Sequence, residues 1–267
     1  MKDVSFGQFY PVKSFVHNMD ARIKILISIA YIVAVFLIKE FHFYGFLASF
    51  GFLVIATAFS GVPFFKVLKS IKGVLFFVIF SSILQVFFNG SGKVVFHWNF
   101  IKITDIGLYR AAFITLRIML IVMGTSLLTF TTSPVDIADG IESLLLPLKF
   151  IKFPVHEFAL IMSIALRFIP TLMDETDRIM RAQKARGADF ESGNVFKRVK
   201  ALIPILIPLL ISSFRRADEL GDAMDARCYS GSKGRTKYKK AKFTYRDVFG
   251  LLLIAGLIVG IVFLNGV

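Results

Sequence analysis

A single cysteine, Cys228, rules out any disulfide within the chain and any thiolate zinc site. The four histidines, His17, His42, His97 and His156, are scattered without ligand spacing, so no metal site is expected. Acidic residues are scarce: 18 Asp and Glu stand against 32 Lys and Arg, a net charge of +14. Glu175 and Asp177 could pass for an acid–base pair, but they share a charged helix with no His or nucleophile nearby. No catalytic site and no cofactor is therefore expected. Gly90-Ser-Gly-Lys93 imitates a phosphate loop, yet Phe87 stands where the loop needs its first glycine, and an apolar helix precedes it where a strand should. No cleavable leader is expected either, because the first apolar run starts near Ile23, exceeds a leader's apolar core and lacks a small-residue cleavage site.

Apolar residues are abundant: they make up 56% of the chain, 31 of them Phe against one Trp. The mean hydropathy is +0.71. Soluble domains stay near 45–50% apolar. Five runs read as membrane spans: Ile23–Ile38, Phe43–Ser60, Gly73–Phe88, Ile106–Phe130 and Val248–Leu264. Gly61 and Pro63 end the second, and Asn89-Gly90 ends the third. Arg117 lies inside the fourth, where a charge needs a partner; pairing to a carbonyl is the structural reading and a substrate contact the functional one. Gly256 and Gly260 form a G-x-x-x-G close-packing pattern in the last span.

Loop charges orient the spans, because Lys and Arg near span ends stay in the cytoplasm. Lys2, Lys13, Arg22 and Lys24 precede the first span, and Lys66, Lys69 and Lys72 separate the second from the third. The intervening loops and the tail carry little positive charge. This places the N-terminus inside a bacterial cytoplasmic membrane and the C-terminus outside. The expected fold is an all-α membrane protein with three parts: residues 1–130 as a four-span bundle, 131–246 as a cytoplasmic domain of long amphipathic helices, and 247–267 as a last span.

The segment Thr131–Arg246 holds 20 of the 32 bases and 13 of the 18 acids. Its apolar runs Leu144–Phe153, Phe158–Leu172 and Ala201–Phe214 fit helices lying on the membrane or against the bundle, with a tilted partial span as the alternative. Ser133 and Pro134 read as a cap and first turn, closed by Pro147. A second helix covers about Val155–Ala185 with Pro170 inside, and Gly187 fits its C-cap. A third covers about Val195–Arg227; Pro204 and Pro208 share one face and read as a packed kink or a moving hinge. The basic run Lys233–Lys242 before the last span reads as an anionic-lipid contact in preference to a nucleic-acid site.

A short repeat links the second and third helices. Glu175–Gly187 overlays Arg216–Cys228 at an offset of 41 residues. Ala182 matches Ala223, Ala185 matches Ala226 and Arg186 matches Arg227. Two small residues three apart let another backbone approach, and a terminal Arg offers a rigid donor fork to a carboxylate or to helix-end carbonyls. The pattern makes sense as a pair of docking tips for two similar partners. The alternative, two solvated arginines at helix C-termini, stays open on these residues alone.

At this duplicated motif the chain resembles the transmembrane T component of energy-coupling factor transporters, a branch of the ABC transporters also described as EcfT/CbiQ-like. The family's two Ala-Arg-Gly signatures appear as Ala185-Arg186-Gly187 and Ala226-Arg227-Cys228. Gly7-Gln-Phe-Tyr-Pro11, Ser14, His17 and Asp20-Ala-Arg-Ile-Lys24 resemble its N-terminal stretch. Thr131-Thr-Ser-Pro134, Asp136, Leu146-Pro147, Ala165-Leu-Arg-Phe-Ile-Pro170, Glu175, Gln183 and Arg235-Thr236 also fit, so the likeness covers roughly Gly7 to Thr236. Cys228 departs from the second signature's glycine, and Ala21 from a proline.

The resemblance implies a non-catalytic coupling subunit for vitamin or transition-metal uptake. Its partners would be two ABC-type ATPases, which bind the ATP, a small substrate-binding membrane S component and the lipid bilayer, with no nucleic acid. Ala182, Ala185, Arg186 and Gly187 would seat one ATPase, and Ala223, Ala226, Arg227 and Cys228 the other. The competing readings are a stand-alone secondary transporter or channel, which would need charged or broken helices at the membrane midplane, and a membrane enzyme.

Overall fold

The computed structural model describes residues 9–39, 42–88, 94–98, 101–147, 154–188, 190, 194–231 and 243–266. Its contacts group into two compact units, Met1–Leu144 with Lys240–Val267, and Leu145–Lys239. The expected boundary after residue 130 therefore differs from the contact boundary at 144. The difference is the helix that follows, whose Gly140 lies against Ile25 and Ala21 of the first helix.

The first unit is a bundle of helices. They are α1 (Ala21–Leu37), α2 (Phe43–Ser60), α3 (Phe64–Lys69), α4 (Leu75–Phe88), α5 (Asp105–Thr131), α6 (Pro134–Leu145) and α9 (Tyr245–Gly266). The architecture is the all-α one expected. One addition is a two-stranded antiparallel hairpin, β1 (Val94–Trp98) and β2 (Ile101–Thr104), in the connection read as a plain loop. The decoy Gly90–Lys93 and the basic run Lys233–Lys242 lie outside the described residues.

Among the described residues, α2, α5 and α9 are long and apolar enough to cross a membrane. The third expected span, Gly73–Phe88, corresponds to the single helix α4, whose 14 residues are too short to cross a membrane alone. α3, which carries Lys66 and Lys69, and a 3-10 turn at Ser70–Gly73 lead into α4 with a bend of 63°. The basic segment read as a loop is thus largely helical. α1, with 17 residues, is about 25 Å long against a hydrocarbon core of about 30 Å.

Local signals explain the ends. Asp20 caps α1 by accepting from the Arg22 N–H, and Thr104 caps α5 by accepting from the Gly107 N–H. Gly61 closes α2 at φ +68°, a left-handed value suited to glycine. Ser133 accepts from the Asp136 N–H at 3.1 Å and donates to its carboxylate at 2.6 Å, so the expected cap of α6 forms.

α1 forms the centre of the bundle and packs on α2, α5 and α9. Its Tyr31, Ala34, Val35 and Ile38 are buried with Phe46, Leu53, Leu120, Met123, Ile254 and Ile261. The Tyr31 ring lies so close to Gly124 of α5 that a Cβ there would overlap it. At one end, Asn265 donates to the Leu37 carbonyl at 2.7 Å and Arg117 to the Ile38 carbonyl at 2.6 Å, closing the C-terminus of α1. The carbonyl reading of Arg117 thus has its geometry. By contrast, nothing lies within 4 Å of a Cβ at Gly256 or Gly260, so this pattern meets no neighbour among the described residues.

The other end of the bundle is tied by the N-terminal segment. Lys24 Nζ donates to the carbonyls of His17 and Thr131, both at 3.0 Å. Asp247, fully buried, accepts from the Asp20 N–H at 2.9 Å and the Thr244 N–H at 2.7 Å. His17 Nε2 is 2.8 Å from the Tyr10 carbonyl, which can only accept. Nε2 therefore carries the proton, and Nδ1 accepts from the Ser14 hydroxyl at 2.7 Å. The N-terminal stretch noted in the sequence thus joins the starts of α1 and α9 to the end of α5.

Candidate functional site

The second unit contains α7 (Val155–Ala185) and α8 (Val195–Ala226), with the ranges that the sequence suggests. Both run through their prolines. Pro208 has no N–H to give the Pro204 carbonyl, and Gln183 of α7 donates to that carbonyl at 3.5 Å. The kink is thus met by a packed neighbour.

The two helices pack antiparallel. Glu175 accepts from the Ser212 hydroxyl at 2.6 Å, and Gln183, eight residues further along α7, meets Pro204, eight residues back along α8. Glu175 also pairs with Arg216. The Ser212 hydrogen bond first, then the Arg216 guanidinium, holds the Glu175 carboxyl below its ordinary range.

Glu175 and Arg216 are equivalent positions in the 41-residue repeat, so the crossing lies on a pseudo-two-fold axis. Arg186 lies eleven residues past Glu175, and Arg227 eleven past Arg216. Each tip is therefore about 16 Å along its helix from the crossing, in opposite directions. The structure does not gather the eight candidate residues into one pocket; it sets them on two separate ends.

Both ends are built alike. At the first, Gly187 N–H donates to the Lys184 carbonyl at 3.0 Å and Ala188 N–H to the Gln183 carbonyl at 3.0 Å, with Gly187 at φ +87°. At the second, Cys228 N–H donates to the Asp225 carbonyl at 2.9 Å and Tyr229 N–H to the Met224 carbonyl at 3.1 Å. These are two Schellman motifs. Cys228 closes the second at φ +56°, the one non-glycine with positive φ among the described residues. Replacement of the signature glycine leaves the cap formed, at the cost of a strained backbone.

Ala182, Ala185, Arg186 and Gly187 are all exposed, as are Ala223, Ala226, Arg227 and Cys228. Each tip therefore leaves small residues and a guanidinium exposed. The Glu175–Arg216 pair is the feature that sequence reasoning missed. Its signal was present as opposite charges at repeat-equivalent positions.

The CbiQ family, described as cobalt transport protein, matches residues 12–238. The chain belongs to this family. A family relative from Clostridium kluyveri is 49% identical over 253 residues, covering 94% of this chain and 93% of its own. One from Acidaminococcus fermentans is 47% identical over 265 residues, 99% and 98% of the two chains. One from Bacillus subtilis is 44% identical over 261 residues, 97% and 98%. All three are named energy-coupling factor transporter transmembrane protein EcfT. As a member of the family, the chain is a membrane transport component of the energy-coupling factor type.

Proposed function

We propose that the chain is the coupling subunit of an energy-coupling factor importer and has no catalytic activity of its own. Two ABC-type ATPases seat on its two tips, one around Ala182, Ala185, Arg186 and Gly187, the other around Ala223, Ala226, Arg227 and Cys228. Both tips are cytoplasmic, as are the N-terminus and the 131–246 region, and the C-terminus is outside. The observation that carries this reading is the pair of identically capped, exposed Ala-Arg tips at equal distances from one crossing. Two equivalent tips suit two similar partners.

ATP-driven closure of the ATPases then moves α7 and α8 together, because the Glu175–Arg216 and Gln183–Pro204 contacts tie them. α8 exposes an apolar stripe at helical spacing, Ile203, Leu206, Ile207, Leu210, Ile211 and Phe214, which suits a small membrane S component that carries the vitamin or transition metal. The lone-transporter alternative leaned on Arg117, whose bond to the Ile38 carbonyl fits a structural part instead.

The test is co-expression with two ATPases and purification through a tag on this chain, for the unaltered protein and for Arg186→Glu, Arg227→Glu and the double change. The expected result is two ATPases retained by the unaltered chain, and none by the double variant while it still inserts in the membrane. Equal retention by all four would overturn the docking role.

A further inference from the structure

The first unit contains an apolar cavity of about 100 Å³, open on one side. It lies at the end of the bundle where α1 and α9 begin and α2 and α5 finish, with Tyr31, Ala56 and Leu128 among its walls. Phe15, Phe59 and Phe249 also line it and form one ring cluster, with centroids 5.8 Å (Phe15–Phe59), 5.9 Å (Phe15–Phe249) and 6.5 Å (Phe59–Phe249) apart. Phe59 and Phe249 remain 48% and 44% exposed, on two helices that are long and apolar enough to span. The cavity thus opens toward hydrocarbon, and an apolar cavity of this order stays dry and takes apolar guests.

A cation stands beside this cluster. The Arg246 guanidinium lies 5.7 Å over the Phe15 ring and 5.4 Å over the Tyr245 ring. Its Nε donates to the Tyr245 hydroxyl at 3.3 Å, and among the described residues it pairs with no carboxylate. Lys66 sits 3.8 Å over the ring of Tyr10, which belongs to the same N-terminal segment as Phe15. An arginine held by aromatic faces keeps its donor fork free for phosphate oxygens.

We infer that this end of the bundle binds one anionic phospholipid, with a few methylenes of an acyl chain in the cavity between Phe59 and Phe249 and its phosphate on Arg246. The occupant is a lipid because the mouth opens where α2 and α9 meet the bilayer, and it is anionic because the guanidinium beside the ring cluster has no carboxylate partner among the described residues. Arg246 and the cavity act as one site: the first selects the headgroup and the second the tail.

The test is native mass spectrometry of the full chain in detergent, titrated with phosphatidylglycerol or phosphatidylcholine. The variants are Arg246→Glu, Ala56→Phe to plug the cavity, and Ala56→Leu as a smaller plug should the first not elute as a single species. The expected result is one phosphatidylglycerol retained per chain, at least tenfold preferred over phosphatidylcholine, and lost at least tenfold on either kind of change. Equal retention of both lipids overturns the inference. So does loss on Arg246→Glu with no loss on either plug, which would place the lipid on the charged surface alone.

Discussion

Glu175 and Arg216 occupy the same position in the two copies of a 41-residue repeat, and they bind each other across the α7–α8 crossing. Few arrangements let repeat-equivalent residues touch: they must lie on the axis that relates the copies. The pair therefore both ties the helices and centres the two tips, so that a movement of one helix is felt by the other. Opposite charges at equivalent positions let the axis carry an attractive contact, where identical residues would repel.

The first prediction concerns the strength of that tie. The side chains are 21% and 32% exposed, so solvent screens the pair, and its worth follows partly exposed ion pairs. A double-mutant cycle with Glu175→Gln and Arg216→Met, read by thermal unfolding in detergent, should give a coupling of about 0.5–1 kcal/mol. Arg216→Glu, which sets two carboxylates together, should cost more than Arg216→Met. The exchange Glu175→Arg with Arg216→Glu should recover most of the loss. A coupling of zero would show that the crossing is held by apolar packing alone.

The same pair sets a pH dependence. The folded-state carboxyl of Glu175 titrates below its ordinary value of 4.5, so the unfolded chain binds the proton more readily. The stabilisation is therefore complete above 4.5 and is lost as the pH falls through the lower folded value. The stability gap between the unaltered chain and Glu175→Gln should be flat at neutral pH and close under acid. A gap that widened as the pH fell would reverse the sign of this contribution.

Much of this was legible in the sequence, for physical reasons. α2, α7 and α8 could be placed nearly to the residue, because Gly61, Gly187 and the Ala-Arg ends are strong local stop signals. The hairpin β1–β2 was not, although the β-branched and aromatic residues of Val94–Trp98 and the alternation Ile101-Lys-Ile-Thr104 carry a strand signal, because only the connector's charges were weighed. The helical character of the Lys66–Lys72 segment was hidden by its charges, which served to orient the spans. The knot of Lys24, Asp247, Asp20 and Thr131 was invisible, because it joins residues over 100 apart that carry no pattern relative to one another. The crossing of α7 and α8 was half legible: the repeat could be seen, but not that its copies meet face to face.

Cys228 gives a prediction with a definite sign. Its φ of +56° is one that a residue with a Cβ adopts at a cost of about 1 kcal/mol. Cys228→Gly removes that strain but loosens the unfolded chain, so the net gain should be about 0.5 kcal/mol, seen as a slightly higher melting temperature. Gly187→Ala, at φ +87°, should destabilise the first tip by about 1 kcal/mol. If both changes were neutral, the tips would unravel before the rest of the unit melts.

Gly124 offers a test of packing within the bundle. A Cβ at this position would overlap the Tyr31 ring, which is buried between α1 and α5 and stacks on Phe52. Gly124→Ala should therefore cost about 1–3 kcal/mol, although alanine favours a helix more than glycine. Tyr31→Leu should itself be destabilising, but it should make Gly124→Ala nearly harmless. Melting of the four proteins in detergent reads the coupling directly, and additive losses would place the strain elsewhere.

Lys24 tests the knot at the opposite end from Arg117. Its ammonium is buried and serves the carbonyls of His17 and Thr131, one on the N-terminal segment and one on the last residue of α5. Lys24→Met keeps the stem and removes the donors, leaving two carbonyls without partners. Hydrogen bonds from a charged donor are worth about 1.5–3 kcal/mol each, so the loss should be a few kcal/mol, among the largest of any single change here. The effect should also be local. The N-terminal segment is held by Lys24, by the Tyr10 N–H on the Phe130 carbonyl and by the Asp20 N–H on Asp247. Limited proteolysis should then cut Lys24→Met within residues 10–20 well before the unaltered chain, while α2 and α9 resist equally in both. Uniform protection of that segment in Lys24→Met would mean that the remaining bonds hold it without the lysine.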